Sequence, residues 1–170
     1  METDDGGART HDGGPVGGGG HVGDAGALAL AVAEARAGRA EGGIPIGAAL
    51  VVDGEVLAVG RNRRVQDGSA IRHGETDCLE NAGRLPARVY ARATMVTTLS
   101  PCDMCTGAIL LYNIPRVVIG ENRTFYGGED LLRARGVEVV VVDDAGCAAM
   151  MREFIAEEPG LWNEDIGEQD

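Results

Sequence analysis

The sequence predicts an α/β protein: a three-layer α/β/α sandwich on a central mixed five-stranded sheet. Two observations carry this. Short apolar runs alternate with longer helix-like stretches from residue 24 to residue 158, the pattern of a sheet covered on both faces. The first two runs flank Asp53-Gly54, a pair suited to the positive-φ positions of a tight hairpin, so the sheet opens with an antiparallel pair before the strands and helices begin to alternate.

In chain order, METDDGGARTHDGGPVGGGGHVG (1–23) is glycine-rich and lacks aromatic residues, and reads as a flexible tail outside a domain that runs from 24 to 170. DAGALALAVAEARAGRAEGG, from Asp24, opens on an N-cap residue and stops at Gly42 and Gly43, which is a helix. IGAALVV and EVLAVG are the hairpin strands. After a polar loop, HGETDCLENAGRL (73–85) is a helix with acids in its first turns, followed by a strand at 93–100. A helix at 101–112 begins behind Pro101, a residue suited to a first helical turn. A strand (116–120), a helix (128–136), a strand (137–143) and a helix (145–158) complete the pattern. The final PGLWNEDIGEQD is acidic yet holds the single tryptophan, Trp162.

At 170 residues and 44% hydrophobic content the chain can bury one core. No apolar run approaches the roughly 18 residues of a membrane span, and the N-terminus is acidic rather than signal-like, so neither anchor nor signal peptide is expected and the predicted location is cytoplasmic. A net charge of −12, with fifteen arginines and no lysine, opposes a phosphate backbone, so nucleic acid is not an expected partner.

Cys102 and Cys105, in SPCDMC, are three positions apart at the head of a helix. A reducing compartment disfavours a structural disulfide and points such a pair to metal or redox chemistry. The helix N-terminus lowers thiol pKa, as metal binding requires. A thioredoxin-like role is disfavoured, since CDMC carries no aromatic before it and no proline within. Of the histidines, His11 and His21 lie in the tail, while His73 heads the other helix two residues before Glu75. Two cysteines, one histidine and an open position describe a catalytic zinc site with Glu75 as proton carrier. A structural site would need Cys78 or Cys147 as a fourth ligand, and both read as small buried thiols inside helices.

HxE before one helix and PCxxC before another form the H-x-E…P-C-x-x-C signature of zinc deaminases. GGIPIGAAL, GRNRR, GSAIRHGETDCLENAGRL, TTLSPCDMCTGAIL, IPRVVIGEN, RGVEVVVVDD and NEDIGE extend the match, and the chain resembles the fungal-type cytosine deaminases from about residue 30 to 168. Most tRNA adenosine deaminases carry HAE where this chain has His73-Gly74-Glu75, and they lack the C-terminal segment.

The resemblance implies a cytidine deaminase-like fold and one catalytic Zn2+ held by His73, Cys102 and Cys105, with Glu75 shuttling protons. It implies that Asn62 reads the pyrimidine edge and that the backbone of Gly74, Ser100 and Cys102 lines the pocket. Ile46, Phe125 and Trp162 would form the wall and lid, and Asp165 would accept from the exocyclic amine, with residues from about 159 to 170 folding back over the site. The implied reaction is deamination of a free nucleobase, cytosine to uracil and ammonia, by a homodimer. Residues 76–78, the loop beyond Phe125 and Asn163 depart from the family pattern and keep isocytosine, an s-triazine such as ammeline, and guanine open as substrates. A deaminase of tRNA or single-stranded DNA and a structural zinc module are the competing classes.

Overall fold

The computed structural model describes residues 21–169. Asp53 and Gly54, with φ of 53° and 82°, make the turn between strands β1 (Gly47–Val52) and β2 (Glu55–Arg61). Both central residues of such a turn need positive φ, which aspartate tolerates and glycine adopts freely. β3 (Ala93–Leu99) pairs antiparallel with β1, while β4 (Arg116–Glu121) and β5 (Glu138–Val141) add in parallel. The five strands lie in the order β2-β1-β3-β4-β5, so the mixed sheet expected from the sequence is present.

Alternation along β1 sorts its side chains between two cores. Ala48, Leu50 and Val52 pack with Cys78 and Leu79 of α3 (Gly74–Ala82), Ile109 of α5 (Asp103–Leu111) and Leu132 of α6 (Glu129–Ala134). Ala49 and Val51 face the other way, onto Ala27 and Leu28 of α1 (Asp24–Ala40) and Cys147 of α7 (Ala145–Glu157). Every β1 residue is buried, as a strand covered on both faces requires.

Three stretches differ from the sequence expectation. Arg64–Asp67 (α2) and Ala87–Tyr90 (α4) form single helical turns where loop was expected; four residues carry no readable helical period. The acidic C-terminus contains a helix, α8 (Pro159–Ile166), opened by its proline and ended by Gly167 in the left-handed region. Residues 1–20 of the expected tail lie outside the described residues, but its last part is engaged: the Val22 N–H donates to the Gly54 carbonyl at 2.8 Å, and the Val22 side chain joins the α1 core.

α3 lies unusually close to the sheet. A Cβ on Gly60 of β2 would stand 2.2 Å from the Cys78 nitrogen and 2.6 Å from its Cα, so only glycine permits this contact. Gly47 plays the same part for α1, since its Cβ would meet the Ala31 carbonyl oxygen at 2.0 Å. Gly60→Ala is therefore expected to destabilise the fold by about 1–3 kcal/mol or more, because backbone on both sides must give way. Chemical denaturation monitored by circular dichroism measures it, and a loss below half of the lower figure would contradict the packing described.

Candidate active site

α3 and α5 begin at the same end of the sheet, where β3 finishes at Leu99 and β1 starts at Gly47. His73 is the N-cap of α3 and Cys102 the N-cap of α5, so each ligand sits where helix N–H groups are unsatisfied and favour negative charge. Ligand atoms of His73, Cys102 and Cys105 all lie within 4.8 Å of one another. Cys102 Sγ is 3.4 Å from His73 Nδ1. Metal bonds of about 2.0–2.3 Å at a tetrahedral angle separate ligand atoms by roughly 3.5 Å, so the donor set and its spacing fit zinc.

His73 Nε2 lies 3.4 Å from Asp165 Oδ1. A carboxylate on the far ring nitrogen is the arrangement that orients a metal-binding imidazole, and it assigns Nδ1 as the ligand atom. The fourth ligand that a closed structural site needs is not supplied by the remaining cysteines. Cys78 Sγ donates to the Ala58 carbonyl at 3.4 Å, and burial pushes its pKa up. Burial likewise holds Cys147 up at about 12. A hydrogen bond from Cys105 brings Cys102 down to about 4, and the same bond holds Cys105 up.

Glu75 is buried directly beside this pair. Its Oε1 accepts from the Thr97 hydroxyl at 2.9 Å, and its Oε2 lies 3.2 Å from Cys105 Sγ. Burial, followed by the negative charge of Cys102, raises its pKa above the usual carboxylate value. For His73, burial opposes the charged form, but the hydrogen bond to Cys102 and the charge of Asp165 outweigh it and raise the pKa.

A narrow cavity, with room for little more than one water, adjoins these groups. Its walls include Ile46, Ser100, Phe125, Trp162 and Asp165, together with His73, Glu75 and Cys102. Phe125 and Trp162 meet edge to face with centroids 5.8 Å apart. Leu99 and Ile166 also line it and escaped the sequence reading, since apolar residues there look like ordinary core. Two expected residues stand back from the wall. Asn62 is fully buried; its Nδ2 donates to Asp165 Oδ1 at 2.9 Å and its Oδ1 accepts from the Arg64 N–H at 3.1 Å. Gly74 is packed against Ile46 and Gly47, where an added Cβ would sit at 3.3 Å.

Thr97 was also missed. The signal was present as two threonines in the otherwise apolar MVTTLS strand, because a buried hydroxyl needs a partner. Thr97 finds Glu75, and Thr98 Oγ1 accepts from the Gly47 N–H at 3.1 Å.

Residues 23–121 match the family model described as the cytidine and deoxycytidylate deaminase zinc-binding region, the segment that carries both ligand helices. The chain belongs to this deaminase family. Among its relatives, the cytosine deaminase of Candida albicans is 55% identical over 142 residues, spanning 83% of this chain and 95% of that protein. The tRNA-specific adenosine deaminase of Bacillus subtilis is 37% identical over 91 residues, spanning 53% of this chain and 56% of that one. Among solved structures, a guanine deaminase from Nitrosomonas europaea superposes with a TM-score of 0.64 at 24% identity, over 79% of this chain and 86% of that one. At that identity the likeness is one of fold.

As a member of the zinc deaminase family, the protein should lose its metal when a ligand is removed. Cys105→Ala is expected to lower zinc content from about one per chain to near zero after dialysis, since three ligands leave no redundancy. Elemental analysis of the purified variant measures this, and retention of full occupancy would mean another ligand set.

Proposed function

We propose that this protein hydrolyses cytosine to uracil and ammonia, acting on the free base with one zinc ion per chain. The observation that carries the reading is the 55% identity with a cytosine deaminase across 95% of that protein's length. The lining of the cavity, with Ile46, Phe125 and Trp162 as apolar walls and Asp165 as a buried acceptor, supports a small planar base carrying an amine.

Bound among His73, Cys102 and Cys105, zinc supplies the Lewis acidity that lets water ionise near neutral pH. The remaining work falls to the side chains. Thr97 holds Glu75 Oε1, which leaves Oε2 to accept the proton of the attacking water, pass it to the ring nitrogen and assist protonation of the departing amine. Oxygen adds at the amino-bearing carbon with one proton of the water going to the ring nitrogen, and the C–N bond then breaks as the second proton goes to the amine, so water and cytosine balance with uracil and ammonia. Asn62, His73 and Arg64 all approach the Oδ1 atom of Asp165, leaving Oδ2 for the exocyclic amine. Ile46, Phe125 and Trp162 grip the ring faces and edge, and exclude bulk water. The chain carboxyls of Glu75 and Asp165 are thus given different tasks by their neighbours.

The guanine reading rests on likeness of fold alone, and the tRNA reading on relatives aligned over 61% of the chain or less. No helix among the described residues is long and apolar enough to cross a membrane, and the proposed location is cytoplasmic. The protein is further proposed to be a homodimer, with the groove walled by Leu79, Leu85, Tyr90, Ala108, Leu111 and Tyr112 as the contact. Leu111 is 71% exposed there, on the α5 helix directly behind the metal ligands.

An ammonia-release screen of the zinc-loaded protein against cytosine, isocytosine, guanine, ammeline and cytidine tests the assignment. Cytosine is the expected best substrate, and a preference for cytidine or guanine would refute it. Glu75→Gln should keep zinc and fold while lowering turnover by about 10²–10⁴-fold, the usual value of a proton carrier; parental turnover in a pure variant would remove Glu75 from the mechanism. Truncation after Glu158, which removes α8, should lower kcat/KM by roughly two orders of magnitude through lost positioning while the metal stays.

A further inference from the structure

The cavity is too narrow as it stands to pass a pyrimidine ring, so one wall must move during each turnover. Two walls compete for that role. The first is the loop carrying Phe125, between Glu121 and Glu129. Both acids are fully buried, and neither takes part in the chemistry. Glu121 accepts from the Arg123 N–H at 2.7 Å, the Thr124 N–H at 3.0 Å and the Thr124 hydroxyl. Glu129 Oε1 accepts from the Ser100 hydroxyl at 2.8 Å, and that hydroxyl accepts from the Gly127 N–H at 3.0 Å. The Gly128 N–H donates to the Pro101 carbonyl at 2.8 Å. Lifting this loop would strand the buried Glu121 carboxylate and break the Gly127 and Gly128 N–H bonds to Ser100 and Pro101, which is costly.

The second wall is α8. Trp162, Asp165 and Ile166 lie on its cavity side, while Leu161 and Glu164 line a separate groove that Arg64 shares. Arg64 Nη1 donates to the Glu164 carbonyl at 2.8 Å and lies 3.5 Å from Asp165 Oδ1; Nη2 lies 3.4 Å from Glu164 Oε1. A guanidinium at the C-terminal turn of a helix meets the negative end of its dipole and carbonyls that the helix leaves weakly paired, the Glu164 carbonyl otherwise accepting, among the described residues, only a long 3.4 Å bond from the Gly167 N–H. The Arg64 backbone N–H also donates to the side-chain Oδ1 of Asn62, which directs the Asn62 Nδ2 at Asp165. One residue therefore fixes Asp165 by two routes, from α8 itself and through Asn62.

We infer that Arg64 is a positioning residue that latches α8 over the cavity, and that the base enters and leaves by movement of α8 while the Phe125 loop stays in place. Release of the latch lowers the population in which Asp165 and Trp162 are in position, and apparent affinity falls by that fraction while the chemical step is unchanged.

The test uses the full-length zinc-loaded enzyme with Arg64→Gln and Arg64→Lys. The single tryptophan, Trp162, reports on α8 through acrylamide quenching, and amide hydrogen exchange compares residues 159–166 with 122–128. Arg64→Gln should keep its zinc, quench at least about twofold more readily and exchange faster in α8 alone, while KM for cytosine rises about tenfold and kcat changes by less than about threefold. Arg64→Lys should shift the same way by less, since a point charge cannot hold carbonyl and carboxylates together; it also carries the test should the glutamine variant fail to fold. Unchanged quenching and KM, a fall in kcat at constant KM, or faster exchange in 122–128 instead would each overturn the latch. The kinetic arm rests on the cytosine reading and the quenching and exchange arms do not, so a parent enzyme inert towards cytosine would refute that reading and leave the latch to the other two.

Discussion

The site depends on how closely α3 can approach the sheet. Gly60 lets the Cys78 backbone rest directly on β2, which lowers the first turn of α3 to the level of the β3 end and brings His73 and Glu75 within reach of α5. A side chain at that contact would lift the helix, and the 3.4 Å spacing between Cys102 Sγ and His73 Nδ1 would open. Metal affinity is thus tied to backbone packing more than 10 residues away in sequence, and Asp77 reinforces the contact by accepting the Arg61 N–H at 3.0 Å.

The second organising element is the burial of acids. A chain with 27 acidic residues keeps most of them in water, but Glu75, Asp77, Glu121, Glu129 and Asp165 are inside. Each has an identifiable donor: Thr97 for Glu75, Arg72 and the Arg61 N–H for Asp77, loop N–H groups for Glu121, Ser100 and Arg133 for Glu129, Asn62 and Arg64 for Asp165. Burying a charge without such donors is prohibitive. The outcome is a site whose walls are held by polar bonds rather than by apolar packing alone, and whose two carboxylates, Glu75 and Asp165, differ in their partners.

The segment after α7 closes one side of the cavity. In this chain it forms α8 and presents Trp162, Asp165 and Ile166 to the cavity at helical spacing. An apolar cover with one buried acceptor suits a small planar base carrying an amine. This agrees with the net charge of −12, which disfavours a phosphate backbone.

Much of this was legible in the amino-acid order alone, because the signals are local. Strand and helix periods, the Asp53-Gly54 turn and the HxE and PCxxC helix heads depend on neighbours within a few residues, so the sheet, the helices other than α2, α4 and α8, and the candidate metal ligands could be read directly. The resemblance supplied Trp162 and Asp165 at the site, although the acidic tail itself reads as solvated. The partners of those residues could not be read. Thr97 bonds Glu75 across 22 positions, Asn62 bonds Asp165 across 103, and Arg64 grips Glu164 across 100. Each pairing joins side chains whose own neighbours say nothing of the other. Only the folded backbone, by bringing the ends of β1, β3, α3, α5 and α8 to one point, decided which polar groups would be buried together and so which would have to satisfy one another.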